Sequence, residues 1–108
     1  MERKMERADI AIIGTGPGGV SAALTAKVRN KNILLIGKKQ MSDKVSKAHQ
    51  IMNYPGLPAV TGADMAKAFE KQLAMMEIDI TDSRIGTVYA MGDYFAIQAG
   101  EEVLEAKS

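Results

Sequence analysis

Residues 9–19, DIAIIGTGPGG, are the stretch that decides the fold of this chain. The four consecutive apolar residues 10–13 are typical of a parallel strand that is buried on both faces. Gly14, Gly16 and Gly19 follow with the spacing G-x-G-x-x-G, directly after that strand and at the start of a segment that favours a helix. The stretch therefore predicts a strand–turn–helix unit that binds a dinucleotide.

The parts of this turn have separate functions in such a unit. Gly14 permits the sharp turn, Gly16 permits close approach of the backbone to a pyrophosphate, and Gly19 permits close packing of the helix on the sheet. Pro17 falls at about the first helical position, where its missing N–H costs no hydrogen bond. The free N–H groups and the positive end of the helix dipole then face the phosphates. The alternative interpretation is a glycine-rich turn that binds nothing.

Composition excludes several classes of function. Lys+Arg 14 against Asp+Glu 13 gives a net charge of +1, so we expect no general attraction to nucleic acid or to a membrane surface. No apolar run approaches the roughly 20 residues of a membrane span, and the first residues lack the apolar core of a signal peptide. Cys is 0, which excludes dithiol chemistry within this chain and fits a cytoplasmic protein. The single histidine, His49, cannot by itself form a metal site or a catalytic triad.

The remaining pattern predicts an α/β unit followed by antiparallel strands. Periodicity predicts helices over about 17–29 and 61–76, further parallel strands over 33–36 and 78–80, and a meander over 85–91, 93–99 and 102–106. Thr61 and Asp64 have the spacing of a capping box. Residues 37–62 show no convincing period, and we interpret so long a segment as functional; the alternative is a surface excursion without a role.

Period-two alternation predicts which side chains of the meander point inward. They are Val88, Ala90, Phe95, Ile97 and Val103. The domain boundaries that follow are a flexible lead-in over 1–7, a βαβ-type core over 8–82 and a meander over 85–107. The chain stops at Ser108 without a terminating signal, so we expect a truncated N-terminal segment of a larger domain.

The order of these elements, with the turn over 14–19 and Asn53-Tyr54-Pro55-Gly56 in the long loop, resembles the N-terminal FAD-binding portion of the thioredoxin reductase family of flavoproteins. Residues 26–31, AKVRNK, and 89–95, YAMGDYF, are most similar to the ferredoxin-dependent flavin thioredoxin reductases. The resemblance covers about 8–108. It implies FAD as the cofactor and a Rossmann-like FAD/NAD(P)-binding α/β fold, with helices on one face of a parallel sheet and an antiparallel β-meander on the other.

The resemblance also implies which residues hold the cofactor. They are Gly14, Thr15, Gly16, Pro17 and Gly18 at the pyrophosphate, Gly37 and Lys38 at the ribose, Lys44, Val45 and Asn53 at the flavin ring, and Arg84 and Ile85 at the adenine. Gly37 and Lys38 stand where the common pattern has an acid for the ribose hydroxyls, so ribose contacts are expected from backbone and from Lys38. Residues 42–45, SDKV, depart from the usual GGQL.

The intact parent implied by the resemblance passes electrons through FAD to a redox disulfide outside this chain, and then to a thioredoxin-like protein. Its electron donor is ferredoxin or NADPH, and this chain alone is expected to be inactive, with no catalytic residue. Two alternatives remain open. Lys38 and Lys39 could accommodate the 2′-phosphate of NADP, which would make the chain an NADP-binding module. The chain could also be a non-catalytic fragment that binds no cofactor tightly.

The end of the chain suggests an exposed strand edge. In the resembled family a further parallel strand pairs beside the first one, and no residue after Ser108 can do so here. Residues 10–13 would then keep an open hydrogen-bonding edge, which promotes association. We therefore expect a homo-oligomer or an aggregation-prone chain that holds FAD loosely.

Overall fold

The structure is a computed structural model that describes residues 7–39, 50–57 and 59–108. In chain order its elements are β1 (Ile10–Ile13), α1 (Pro17–Val28), β2 (Ile33–Gly37), α2 (Gly62–Met75), β3 (Ile80–Asp82), β4 (Ile85–Ala90), β5 (Phe95–Ala99) and β6 (Glu102–Ala106). The first three strands form a parallel sheet in the order β1-β2-β3, and the last three form an antiparallel sheet in the order β4-β5-β6.

The parallel sheet separates two hydrophobic cores, because successive side chains of a strand point to opposite faces. Leu35, 1% exposed, faces the helices and packs with Val20 and Phe69. The next residue, Ile36, is 0% exposed and packs on the other face with Ile97 of the meander. The expected Rossmann-like arrangement, with helices on one face and the meander on the other, is confirmed.

Both helices begin where the sequence predicts. Gly16 is the N-cap of α1, and Pro17 is its first residue. Thr61 is the N-cap of α2, and its side-chain oxygen accepts a hydrogen bond from the Asp64 N–H at 3.1 Å. This bond satisfies one of the N–H groups that a helix start leaves without an intrahelical partner. Neither helix in the described part of the chain has both the length and the apolar character that crossing a membrane requires.

The end of α2 shifts the third strand relative to the prediction. The Glu77 N–H donates to the Ala74 carbonyl at 3.1 Å, and the Ile78 N–H donates to the Leu73 carbonyl at 2.9 Å. These two bonds form a Schellman motif, so Ile78 still closes the helix and cannot pair in the sheet. The predicted strand over 78–80 is therefore wrong by two residues, and β3 pairs with β2 from Ile80 onward.

Of the five meander residues expected to point inward, the structure buries Ile97 and leaves the other four exposed. Ile97 is 2% exposed, as predicted. Val103 is 57% exposed, and the prediction is wrong there because the register pairs Leu104, 4% exposed, with Ile97. Val88, Ala90 and Phe95 share the face of Ile97 but lie toward the turn end of the β4–β5 hairpin and are exposed, Val88 at 44% and Phe95 at 38%.

The last residues of the chain run beside β1. Ala8 donates its N–H to the Glu105 carbonyl at 3.0 Å and accepts from the Lys107 N–H at 2.9 Å, while the Ala11 N–H donates to the Ser108 carbonyl at 2.8 Å. These bonds form because β6 runs in the same direction as β1, so its extension can pair in parallel. The prediction of an open outer edge over 10–13 is therefore wrong at Ala11.

Candidate dinucleotide-binding site

The turn after β1 leads from the sheet to the start of α1. The Gly14 N–H donates to the Ile36 carbonyl at 2.8 Å, so the turn begins within the hydrogen-bonding ladder. Gly14 has φ +120, a conformation that side chains disfavour. At Gly16 no side chain caps the helix, and the first N–H groups of α1 have no intrahelical acceptor. The helix start is therefore a backbone site suited to an anion.

Gly16 and Gly19 have different surroundings: there is open space beside Gly16, whereas Gly19 is closely packed against the turn. A Cβ placed on Gly16 would have no atom within 4 Å, so the space beside this backbone is open. A Cβ placed on Gly19 would overlap the carbonyl oxygen of Gly14. Gly19 therefore allows close packing of α1 on the turn, whereas the backbone at Gly16 borders open space. Because that space adjoins the uncapped N–H groups at the start of α1, the residues present fit a pyrophosphate there.

A groove of about 800 Å³ lies along the carboxyl ends of β1, β2 and β3. Its lining residues are Ile13, Gly14, Ile36, Gly37, Lys38, Asp82, Ser83, Arg84 and Ile85. Ligands of open α/β sheets bind at this edge. A cavity at the opposite edge is smaller, at about 270 Å³. The groove brings together five of the residues expected from the sequence: Gly14, Gly37, Lys38, Arg84 and Ile85.

Thr15 connects the turn to the end of β2. It is 9% exposed, and its hydroxyl donates to the Lys38 carbonyl at 2.8 Å. A Cβ placed on Gly37 would lie 2.8 Å from the Thr15 methyl carbon and 3.2 Å from the Thr15 backbone nitrogen. Gly37 therefore lacks a side chain because Thr15 occupies the space, and the Thr15 hydroxyl is already engaged by protein.

The expected contacts to the flavin ring do not line this groove in the described structure. Asn53 is exposed. The next residue, Tyr54, packs against Phe69 with ring centroids 5.8 Å apart and lines a separate cleft of about 470 Å³ between α1 and α2. Lys44 and Val45 lie outside the described residues.

Four groove residues were not among the expected site residues: the strand residues Ile13 and Ile36, and Asp82 and Ser83 at the end of β3. The prediction ended the third strand at residue 80, so it placed Asp82 and Ser83 in the connection to the next strand and not at the edge of the sheet. A glycine often stands just after the end of a helix and so marks this boundary in a sequence. After α2 that position holds Glu77, at φ 56. The sequence therefore carries no clear signal for the end of α2.

Charged side chains in the groove combine two cations, Lys38 and Arg84, with the carboxylate of Asp82. The cations favour a phosphorylated ligand. Within residues 7–39, 50–57 and 59–108, no three His, Cys, Asp or Glu side chains are placed to hold a metal ion. His49 lies outside these ranges.

Together, the parallel sheet, the glycine turn and the groove at the carboxyl edge define a Rossmann-like dinucleotide-binding unit. Residues 9–101 match the family described as Glucose inhibited division protein A, and the chain belongs to that family.

Several thioredoxin reductases are similar to this chain. The chain is 35% identical over 100 residues to a thioredoxin reductase of Peptoclostridium litorale, which covers 82% of this chain and 31% of that protein. A crystal structure of a ferredoxin-flavin thioredoxin reductase from Clostridium acetobutylicum is 44% identical, with a TM-score of 0.91, over 96% of this chain and 36% of that chain. The chain thus spans about a third of the length of these relatives. The resemblance noted in the sequence is confirmed, and these relatives indicate FAD as the cofactor.

Proposed function

We propose that this chain holds the ADP portion of FAD within a flavoprotein related to the thioredoxin reductases. The observation that carries the proposal is the start of α1, where no side chain caps the first N–H groups and the space beside Gly16 is open. The pyrophosphate would bind the backbone N–H groups of the turn and the positive end of α1. The adenosine would occupy the adjoining groove, with Lys38 and Arg84 beside it.

The chain contributes position and charge to this function. FAD supplies hydride and one-electron chemistry when it is bound. The backbone N–H groups around Gly16 would balance the charge of the phosphates, and Thr15 holds the turn against the end of β2. No described side chain is assigned as an acid, a base or a nucleophile. Because Cys is 0, the redox disulfide of the proposed electron path lies outside this chain.

The activity of the whole protein is proposed from its relatives. Electrons would pass from ferredoxin or NADPH through FAD to the redox disulfide and on to a thioredoxin-like protein. The 44% identity to a ferredoxin-flavin thioredoxin reductase supports ferredoxin as the donor. Assembly as a homo-oligomer is supported by exposed apolar side chains such as Ile13, Val88 and Val103. A cytoplasmic location is supported by the lack of cysteine.

The test is FAD binding by the variant Gly16→Val. Gly16 has the extended conformation φ −77, ψ −175, which valine can adopt, and the space beside it is open. Valine should therefore leave the fold intact and occupy the space of the ligand. In a titration followed by flavin fluorescence anisotropy, we expect the variant to bind FAD at least about tenfold more weakly than the wild-type chain. Circular dichroism should be unchanged.

Gly86→Val is the matched control, since a Cβ there meets Gln98 at an ordinary 3.8 Å. Equal affinity of the wild-type chain and Gly16→Val for FAD would refute the assignment of the turn. Tighter binding of NADPH than of FAD by the wild-type chain would favour the NADP-binding module, for which Lys38 and Arg84 offer suitable charge. Binding of neither ligand would favour a chain without a cofactor.

A further inference from the structure

The end of β2 lacks the carboxylate that usually holds the adenosine ribose in a site of this class. Gly37 is the last residue of β2, followed by Lys38. A side chain on Gly37 would have to displace Thr15, whose methyl carbon lies 2.8 Å from the position of the added Cβ. Thr15 is itself held by its hydrogen bond to the Lys38 carbonyl. A carboxylate therefore cannot enter the groove from Gly37.

The neighbouring strand supplies a carboxylate at the same level of the sheet. Asp82 is the last residue of β3 and is the register partner of Gly37. Paired strands lie about 4.8 Å apart, so Asp82 starts one strand spacing from the usual position of the acid. It is exposed and lines the same groove as Gly37 and Lys38. Among the described residues that line this groove, it is the only acidic one.

Ribose hydroxyls both donate and accept hydrogen bonds, and among the described residues Asp82 is the charged side chain lining the groove that can accept them. Two neighbouring ribose hydroxyls can each donate a hydrogen bond, and a carboxylate has two oxygens that accept. Lys38 and Arg84 can only donate. We propose that Asp82 accepts hydrogen bonds from the adenosine ribose and so replaces the acid that β2 lacks. This assignment rests on the proposed function of the groove.

The test compares two aspartate-to-alanine variants of the chain in the same FAD titration. Asp82→Ala removes the proposed acceptor, and we expect binding to weaken by roughly 10- to 100-fold, as for the loss of hydrogen bonds to a charged group. The matched control, Asp79→Ala, removes an exposed carboxylate at the opposite edge of the sheet and should leave affinity unchanged. Because FAD is an anion, the loss of a negative charge alone would strengthen binding, so weakening distinguishes a hydrogen bond from a change in charge.

A second measurement uses ligands that differ only in the ribose. ADP and 2′-deoxy-ADP are each titrated as competitors of FAD, once with the wild-type chain and once with Asp82→Ala. We expect the wild-type chain to prefer ADP by about tenfold or more, and the variant to lose that preference. If the variant does not fold, the wild-type comparison can still refute the assignment, because equal affinity for the two ligands would leave Asp82 no role at the 2′-hydroxyl.

The outcomes separate this assignment from the proposed function. Equal affinity of the wild-type chain for ADP and 2′-deoxy-ADP would overturn the role of Asp82 alone. So would an Asp82→Ala variant that binds FAD as tightly as the wild-type chain, or one that keeps the preference for ADP. If the wild-type chain binds no FAD, the proposed function fails, and the assignment of Asp82 fails with it.

Discussion

Glu77 has an unfavourable backbone conformation at the end of α2. Its φ is 56, in the left-handed region that glycine normally occupies at this position. The equivalent position after α1 holds Asn30 at φ 60, and asparagine tolerates this region better than most side chains do. For a residue with a larger side chain the conformation costs about 1–2 kcal/mol. Packing of α2 therefore offsets a local strain at Glu77.

We expect Glu77→Gly to stabilise the chain by about 0.5–1 kcal/mol. Glycine relieves the strain, and part of the gain is lost to the greater freedom of glycine in the unfolded chain. Urea unfolding measures the change. The control Glu70→Gly lies within α2 on its exposed side, where glycine should destabilise by about 1 kcal/mol. Destabilisation by Glu77→Gly would contradict the strain at this position.

Among the elements, β6 shows most clearly how pairing decides which side chains are buried. Val103 and Leu104 are neighbours in an alternating strand, so only one of them can face the second core. Leu104 lies opposite Ile97 and packs in the same buried cluster as Ile36 of the parallel sheet. Val103 lies opposite the exposed Gln98. The antiparallel register, more than the apolar character of Val103, determines the inward face.

Because Leu104 faces the core and Val103 does not, alanine variants at these two positions should differ in their free energy of unfolding. Leu104→Ala should lower the free energy of unfolding by about 2–5 kcal/mol, because it leaves a cavity in the second core. Val103→Ala should change it by no more than about 0.5 kcal/mol. Denaturant unfolding of both variants makes the comparison. If Val103→Ala lowered the free energy of unfolding more than Leu104→Ala does, Val103 would face the core, as the sequence alone suggested.

In the whole molecule, residues 7–11 and 105–108 form a seam that joins the two sheets. Backbone hydrogen bonds to the buried Ala8 hold it together. Two exposed ion pairs flank these bonds, Arg7 with Glu105 at 3.0 Å and Lys107 with Asp9 at 3.6 Å. Exposed pairs contribute only about 0–1 kcal/mol each. The backbone pairing and apolar burial are therefore the main contributions to the seam.

Lowering the pH should weaken this seam, because the carboxylate of Asp9 becomes protonated. The Asn32 N–H donates to the Asp9 carboxylate at 2.9 Å and holds the pKa of Asp9 below its ordinary value of 3.8, with smaller contributions from the charges of Lys107 and Lys31. Because the folded pKa is the lower one, Asp9 stabilises the fold above about pH 4, and this contribution is lost as pH falls through the folded pKa.

Thermal unfolding between about pH 5 and about pH 2 tests this dependence. We expect Asp9→Asn to lose less stability over that range than the wild-type chain does. The control Asp93→Asn removes an exposed carboxylate from the turn between β4 and β5. An unchanged acid dependence in Asp9→Asn would show that ionisation of Asp9 contributes nothing to the stability of the fold.

The sequence by itself determined the elements whose causes lie within a few residues of chain. The apolar run of β1, the helix start at Pro17 and the N-cap Thr61 were predicted at their observed positions, because the sterics and hydrogen bonds that specify them are local. The glycine pattern and the family resemblance also identified the class of site. The roles of the individual cofactor residues, such as Lys38 and Asn53, remain predictions.

Tertiary structure decided the features that depend on contacts between residues far apart in the chain. Thr15 excludes a side chain at Gly37, 22 positions further on, and the pairing of β3 with β2 brings Asp82 opposite that glycine. The burial of Leu104 likewise follows from its register partner. Each of these outcomes depends on which surfaces meet after the sheets have formed, and the hydrophobic periodicity of one segment does not by itself fix which residues of another strand lie opposite it.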